Sequence, residues 1–345
     1  METRVDDIGS FPVPSTIDRE SYSKAYRLAR ESIINGRDIE KNEFLCTNFC
    51  MVVLDSFKKK YSTGLDVVNY PQHYDMVNQL GDVIDVAMEH GTFLVEEKQA
   101  VIPEVYLIGK EAKGLSEEIG DKISLRVSLV GPMELYLKKV GTSPYMDVLM
   151  NFAETVRRFA KKSILNSEHV KTEVVSLDEP SFGFQDITAE RDTIVEVLEK
   201  AFDFRGVVRQ IHLHSSVKVA DLLCVKNLDV LSFEYAGSPK NIESVSRRAL
   251  DKADKQVRIG VSRTDIDAIM AELYDKGVTR PSAEEIVDSE ETISKRFVLA
   301  KEKFGDRMTF TGPDCGLGGW PSQETAQLLL TRTVKAVKKA RATST

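Results

Sequence analysis

A pair of histidines one residue apart is the feature of this sequence with the clearest chemical potential. His212 and His214 flank Leu213 in a run of apolar and β-branched residues, so in a strand both imidazoles project to the same face. Glu234 and Cys315 follow two later runs of the same kind. Zinc accepts neutral imidazole, carboxylate and thiolate, usually with four ligands. The sequence therefore predicts a metal site formed by His212, His214, Glu234 and Cys315.

A metal at such a site would support thiol chemistry. Zinc stabilises a bound thiolate, so a substrate thiol with a pKa of ~8.5 loses its proton near neutral pH and becomes nucleophilic. The rest of the substrate must be held so that its sulfur meets the metal. Asp178 follows a strand-like run and can pair with an ammonium group. The backbone N–H groups around Ile8 to Ser10, with the Ser10 hydroxyl, can hold a carboxylate.

The elements that must position these residues are eight short β-branched runs, which alternate with helical stretches. This alternation is typical of parallel βα units, and barrel enzymes carry their catalytic groups at the carboxyl ends of the strands. Ser10, Gln72, Asp178 and Asp265 all follow such runs. The runs end at IGSFP (8–12), LDVVNYP (65–71), LRVSLVGP (125–132), VVSLDEP (174–180), RQIHLHSS (209–216), DVLSFEYAGS (229–238), VRIGVSRTD (257–265) and MTFTGPDCGLGG (308–319).

These runs predict an α/β fold in which residues 1–345 form a single (β/α)8 TIM barrel. Two extended segments near 93–108 predict a β-hairpin inserted between the second and third strands.

Composition excludes several classes of protein. The formal net charge of −7 argues against a nucleic-acid surface, which needs a basic face. No segment reaches the roughly 20 apolar residues of a membrane span, and no signal-length apolar run follows the N-terminus. The 4 cysteines are too few and too scattered for a disulfide framework. We therefore expect a cytoplasmic protein without a nucleic-acid or membrane partner.

The order of the motifs resembles the C-terminal catalytic domain of cobalamin-independent methionine synthase, and the resemblance covers nearly the whole chain. PDCGL at 313–317 is its most specific motif, and IGSFP at 8–12 is the next. The resemblance implies a (β/α)8 barrel that binds zinc and transfers a methyl group to the thiol of homocysteine, giving methionine. The other shared motifs are LDV at 65–67, GP at 131–132, DEP at 178–180, the His-bearing strand, Glu234 and GWP at 319–321.

The metal ligands of that family are matched with one exchange. The family holds zinc with a His-x-Cys pair, a Glu and the Cys of PDCGL, and His212, Glu234 and Cys315 match three of these by position. His214 stands where the pair has its Cys. A second alignment makes His214 the family His and puts Ser216 at the Cys position. The first is preferred because of the 22-residue interval from His212 to Glu234.

The substrate-binding residues of the family are also matched in part. Asp178 corresponds to the residue that binds the homocysteine amino group, and the turn at residues 8–10 corresponds to the segment that holds its carboxylate. Gln72 replaces a substrate-binding carboxylate. The catalytic His of the family is absent after the seventh strand, where Arg263 and Asp265 stand, so Asp265 or a water molecule is the candidate proton acceptor.

The resemblance extends to the methyl donor. Full-length members carry a second, N-terminal barrel that helps to bind a folate donor, and this chain begins at the motif of the C-terminal barrel. It resembles the stand-alone core members of the family. We therefore expect methylcobalamin, or a methylated corrinoid protein as partner, to supply the methyl group to homocysteine.

Three other functions compete with this interpretation. A His-x-His pair on a barrel strand also binds zinc in amidohydrolase-type barrels, where a metal-bound hydroxide is the nucleophile. Against that hydrolase function, the remaining histidines, His73, His90 and His169, do not fall at suitable later strand ends. A methylcobalamin-dependent methyltransferase for another thiol is the second alternative. A barrel that binds without catalysing is the third.

Overall fold

The computed structural model describes residues 2–343. Eight strands form one parallel sheet in the order β1-β8-β7-β6-β5-β4-β3-β2, which is the topology of a (β/α)8 barrel. Each strand corresponds to one of the eight predicted runs, so the predicted TIM barrel is confirmed. The strands are β1 (Arg4–Val5), β2 (Val68–Asn69), β3 (Ile123–Val130), β4 (Val170–Asp178), β5 (Val208–Leu213), β6 (Val230–Phe233), β7 (Gln256–Ser262) and β8 (Met308–Pro313).

The sheet closes between its first and second strands through a short contact. Asp6 and Val67 form an isolated parallel bridge. The backbone N–H groups of Asp66 and Val67 both donate to the carbonyl of Val5, at 2.8 and 3.2 Å. β1 and β2 are only two residues long, and the chain leaves each of them directly into a turn that lines the site described below.

The helices pack around the sheet through their apolar faces. In α8 the buried residues include Leu149, Phe152, Val156 and Phe159, which recur at helical spacing and pack on the outside of the barrel. No helix within residues 2–343 is long and apolar enough to cross a membrane. The helices are α1 (Arg19–Ile34), α2 (Glu43–Leu45), α3 (Met51–Tyr61), α4 (Met76–Glu89), α5 (Pro103–Lys110), α6 (Ala112–Ile119), α7 (Pro132–Lys139), α8 (Met146–Lys162), α9 (Arg191–Ala201), α10 (Val219–Leu222), α11 (Lys240–Glu243), α12 (Arg247–Ala253), α13 (Ile266–Asp275), α14 (Ala283–Ile286), α15 (Glu290–Phe304) and α16 (Gln323–Thr343).

The interior of the barrel contains a buried charged triad. Asp6 accepts a hydrogen bond from Arg126 Nη1 and another from Arg258 Nε, each at 2.6 Å, and all three side chains are fully buried. Asp6 follows β1, whereas the two arginines lie on β3 and β7. The triad therefore connects three strands across the interior.

The predicted hairpin near residues 93–108 is wrong. Between β2 and β3 the structure has a 3-10 turn at Glu97–Gln99 and the helices α5 and α6. Pro103 occupies the first turn of α5, where its missing N–H costs no hydrogen bond. The backbone of Val95 is bonded by side chains of α8, since its N–H donates to Thr155 and its carbonyl accepts from Arg158. These bonds take the place of a strand partner.

Candidate metal centre

The four predicted metal ligands lie together at the carboxyl ends of β5, β6 and β8. One potential ligand atom from each of His212, His214, Glu234 and Cys315 lies within 4.8 Å of those of the other three. His214 Nε2 is 3.4 Å from Cys315 Sγ and 3.4 Å from Glu234 Oε1. This is an arrangement in which a single ion can contact all four side chains.

His212 provides an independent test of whether the cluster fits a metal. Its side chain is 1% exposed, and its Nδ1 is 3.1 Å from the hydroxyl of Ser232 on β6. Its other ring nitrogen, Nε2, is buried and has no hydrogen-bond partner among the described residues. Buried polar atoms are rarely left without a partner, and a metal-binding histidine typically bonds a neighbour through its second nitrogen. The unpartnered Nε2 therefore fits a metal ligand.

The protonation of the cluster also fits a cation. Burial raises the pKa of Glu234 to about 8, with the charges of Asp314 and Asp265 adding to the shift. Burial raises the pKa of Cys315 to about 12, and the neighbouring Glu234 adds to it. Burial lowers the pKa values of His212 and His214, so both imidazoles are neutral. A dication would replace the protons on the two acids and accept the two neutral nitrogens, which suits zinc.

The structure distinguishes between the two alignments of the His-x-His pair. His214 points into the cluster, as the distances above show. Ser216 lies elsewhere, since its N–H donates to Asn241 Oδ1 at 3.1 Å and its hydroxyl lies 2.5 Å from that of Ser244. The geometry therefore places His214, and not Ser216, beside Glu234 and Cys315.

A cavity of about 430 Å³ opens onto one side of the cluster. Asp178 is the buried carboxylate of this cavity, and it neighbours His212 in the sheet register. Burial raises its pKa to about 6, and the nearby Arg126 opposes that shift. The cavity walls include all four predicted substrate-binding residues and three of the predicted ligands, namely Ile8, Ser10, Gln72, Asp178, His212, His214 and Cys315.

The turn at Ile8–Ser10 is held in place from both sides. Gly9 has a φ of +55°, and its carbonyl accepts a hydrogen bond at 2.9 Å from Lys60 Nζ, which also pairs with Asp7 at 2.6 Å. On the other side, the Ser10 hydroxyl accepts from the N–H of Gly318 at 3.1 Å. A side chain on Gly318 would collide with Ser10, so the glycines after Cys315 permit the approach of the two turns.

Gln72 and His73 form another part of the cavity wall. Gln72 is buried at a φ of +46°, which is uncommon for a residue with a side chain, and its amide donates to the carbonyl of Ser128 at 3.3 Å. His73 was left out of the predicted site. Its ring nitrogens lie 2.9 Å from the Phe11 carbonyl and 2.9 Å from the Ser56 hydroxyl, and burial lowers its pKa to about 3. It is a neutral, fully bonded wall residue, and its place beside Gln72, a predicted site residue, is the signal that could have found it.

Asp265 lies on the other side of the cluster. It lines a second cavity, of about 320 Å³, together with His214, Glu234 and Cys315. Its carboxylate is paired with Arg263, with oxygen–nitrogen distances of 2.7 and 3.0 Å. Asp265 is not among the residues that line the cavity with Asp178, and its assignment as proton acceptor stays a prediction.

Comparison with known proteins shows the fold alone. The sequence matches no protein-family model and no curated protein. The structure is similar to that of a B12-independent methionine synthase from Shewanella sp. W3-18-1, solved in complex with selenomethionine, with a TM-score of 0.65 and 14% sequence identity. The similarity covers 99% of this chain and 98% of that chain. The two proteins therefore share the barrel over their whole compared lengths.

Proposed function

We propose that the protein is a zinc-dependent methyltransferase that converts homocysteine to methionine. The observation that carries this proposal is the cluster of two imidazoles, a carboxylate and a thiol at one end of a cavity that also contains Asp178 and the turn at residues 8–10. The fold of the Shewanella methionine synthase supports it. Residues 1–345 would act as one catalytic unit, because strands from both ends of the described chain contribute to the cluster and the cavity.

Zinc held by His212, His214, Glu234 and Cys315 would stabilise the substrate as its thiolate, the nucleophilic form. The protein's own task is to orient that substrate. In the proposed complex, Asp178 accepts hydrogen bonds from the substrate ammonium. The backbone N–H groups of the turn at residues 8–10 donate to its carboxylate, since none of the three bonds another described residue.

The amino end of the substrate would meet a single carboxylate. Gln72 is neutral and lines the cavity. It stands at the position where the family that the sequence resembles has a second substrate-binding carboxylate. This replacement favours a second candidate function, in which the acceptor is another thiol without an ammonium group. Comparing homocysteine with 4-mercaptobutyrate, which lacks only the amino group, separates the two. A preference of about tenfold or more in kcat/KM for homocysteine supports the first, because an ion pair to a buried carboxylate is lost with the analogue.

The expectation of a corrinoid donor or partner is not supported. It rested on the absence of a second barrel, yet the Shewanella protein is described as B12-independent and is covered over 98% of its length by this chain. A single barrel of this size is therefore no argument for a corrinoid donor.

The proposal is tested by measuring methionine formation from homocysteine with the zinc-loaded protein. Methylcobalamin and methyltetrahydrofolate are supplied in separate reactions, and Cys315→Ala and Asp178→Asn are the variants. We expect turnover with one of the two donors, its loss in Cys315→Ala, and a raised KM for homocysteine in Asp178→Asn. Absence of methionine with both donors contradicts the proposal.

A further inference from the structure

The three solvent-side ligands of the cluster lie on three different loops. His214 follows β5, Glu234 follows β6, and Cys315 follows β8. Two of them, Glu234 and Cys315, are acids whose ionised forms repel each other. The spacing of the three loops is also fixed by hydrogen bonds to their backbones. Two buried side chains, Asn241 and Asp314, bond the backbones of these loops.

Asn241 connects the loop of His214 to the loop of Glu234. Its side-chain N–H groups donate to the carbonyl of His214 at 2.8 Å and to the carbonyl of Glu234 at 3.0 Å. Its side-chain oxygen accepts from the N–H of Ser216 at 3.1 Å and from the Ser216 hydroxyl at 3.3 Å. The side chain is 8% exposed. Both N–H donors and the oxygen acceptor of the Asn241 amide thus form hydrogen bonds with the two ligand-bearing segments.

Asp314 connects the loop of Glu234 to the loop of Cys315. Its carboxylate accepts three consecutive backbone N–H groups, from Tyr235 at 2.9 Å, Ala236 at 3.0 Å and Gly237 at 2.6 Å. Its own N–H donates to the carbonyl of Ser262 on β7 at 2.9 Å. Asp314 is 2% exposed, so these hydrogen bonds are shielded from water.

The two side chains complete one continuous path between the ligands. The path runs from the backbone of His214 through Asn241 to Glu234, along residues 235–237, and through Asp314 to Cys315. We propose that Asn241 and Asp314 are positioning residues that fix the spacing of the three ligand-bearing loops and thereby raise the affinity of the site for zinc. This inference rests on the proposed metal site. Neither residue belongs to the cluster of potential ligands, and each polar atom of their side chains bonds a backbone group.

Zinc affinity of the purified protein tests the proposal, with Asn241→Ala and Asp314→Asn as the variants. Asp314→Asn keeps the volume of the side chain but turns an N–H₂ group toward backbone N–H donors. The control is Asp229→Asn, at the opposite end of the barrel, because Asp229 also accepts a backbone N–H, from Arg209 at 2.9 Å. We expect each variant to bind zinc about 10-fold to 100-fold more weakly than the parent, the range of effects known for groups that orient metal ligands. Asp229→Asn should keep the parent affinity within about twofold.

A second measurement separates positioning from the loss of a ligand. At saturating zinc, the X-ray absorption spectra of both variants should show the same single sulfur neighbour as the parent, whereas Cys315→Ala should lose it. The proposal is overturned if Asn241→Ala or Asp314→Asn folds and binds zinc as tightly as the parent. A fall in melting temperature similar to that of Asp229→Asn does not change this conclusion. A parent protein that binds no zinc overturns the metal site itself, which is a different result. If one of the two variants does not fold, the zinc affinity of the other variant still tests the proposal.

Discussion

His214 is the residue at which the cluster differs from the family that the sequence resembles, since that family has a cysteine there. With His214 as a ligand, the protein donates two neutral nitrogens, one carboxylate and one thiolate. Zinc in this set keeps more positive charge than zinc facing two thiolates. A bound substrate thiolate should then form more easily but be a weaker nucleophile. Such a site suits a reactive methyl donor.

The role of His214 is tested by substituting it and its neighbour. Zinc binding to His214→Ala should weaken well beyond the 10–100-fold typical of outer-shell changes, because a direct ligand is lost. Val217→Ala is the control, since Val217 lies on the same loop with its side chain exposed to solvent. Equilibrium dialysis with zinc measures both. An affinity for His214→Ala within a few-fold of the parent would show that water completes the shell instead.

The sequence predicted the residues that come together in the cluster and missed those that bond the backbone around it. His212, Glu234 and Cys315 are recognisable because few residue types bind zinc and each lies at or just after the carboxyl end of a strand. Asn241 and Asp314 have no such signal. Their hydrogen bonds reach backbone groups up to 79 residues away along the chain. Such partners can be identified only once the barrel has brought the loops together.

At the scale of elements, the strands were predictable and the segment between β2 and β3 was not. Each strand is a compact β-branched run followed by a turn, which is typical of a buried parallel strand. The segment 93–108 has short apolar stretches without a sustained period, so extended and helical structures compete. Pro103 decides in favour of a helix, because it fits the first turn of α5 and would remove a donor from a strand.

Helix α5 matters for the site because it carries Glu104. One carboxylate oxygen of Glu104 accepts from the Tyr22 hydroxyl at 2.8 Å and from the N–H of His73 at 3.0 Å. Tyr22 and His73 both line the cavity. Glu104 is fully buried, so it supports the cavity wall from behind, next to the strained backbone of Gln72.

Glu104 should make stability depend on pH. Burial raises its pKa from 4.5 to about 7, so the folded protein holds this proton more tightly than the unfolded chain does. Its contribution to the free energy of unfolding is therefore present at low pH and is lost as the pH rises from 4.5 to about 7. We expect the metal-free parent to lose more stability than Glu104→Gln between about pH 5 and about pH 8. Denaturant unfolding at both values measures this.

The control for this experiment is Glu196→Gln, because Glu196 is exposed on α9. Its pH profile should follow that of the parent. An identical loss of stability in Glu104→Gln and in the parent would contradict the assignment, since the buried carboxyl would then contribute nothing over this interval.

At the scale of the whole molecule, the triad of Asp6, Arg126 and Arg258 stabilises the closed barrel. Asp6→Asn would leave two fully buried guanidinium groups without their shared carboxylate. Removing one partner from a buried ion pair typically costs about 3–5 kcal/mol, so we expect a loss of that order in the free energy of unfolding. The matched control is Asp306→Asn, which breaks the exposed 2.6 Å pair with Arg247 and should cost far less. Comparable losses in the two variants would show that the triad does not stabilise the barrel.

This chain and the Shewanella protein share the barrel although only 14% of their residues are identical. A β-branched run can exchange its residues and still form a buried parallel strand, so the fold is readable from pattern alone. The proposed activity would depend on a few side chains that the strand pattern does not fix, such as Gln72 and His214. For this reason the function must be decided at the cluster.

The zinc-edge X-ray absorption spectrum, recorded with and without homocysteine, tests the metal site and the bound thiolate together. Because Cys315 is the single thiol of the cluster, we expect one sulfur neighbour at ~2.3 Å without substrate and two when homocysteine is saturating. A spectrum that homocysteine leaves unchanged, or one without sulfur in either state, would contradict it.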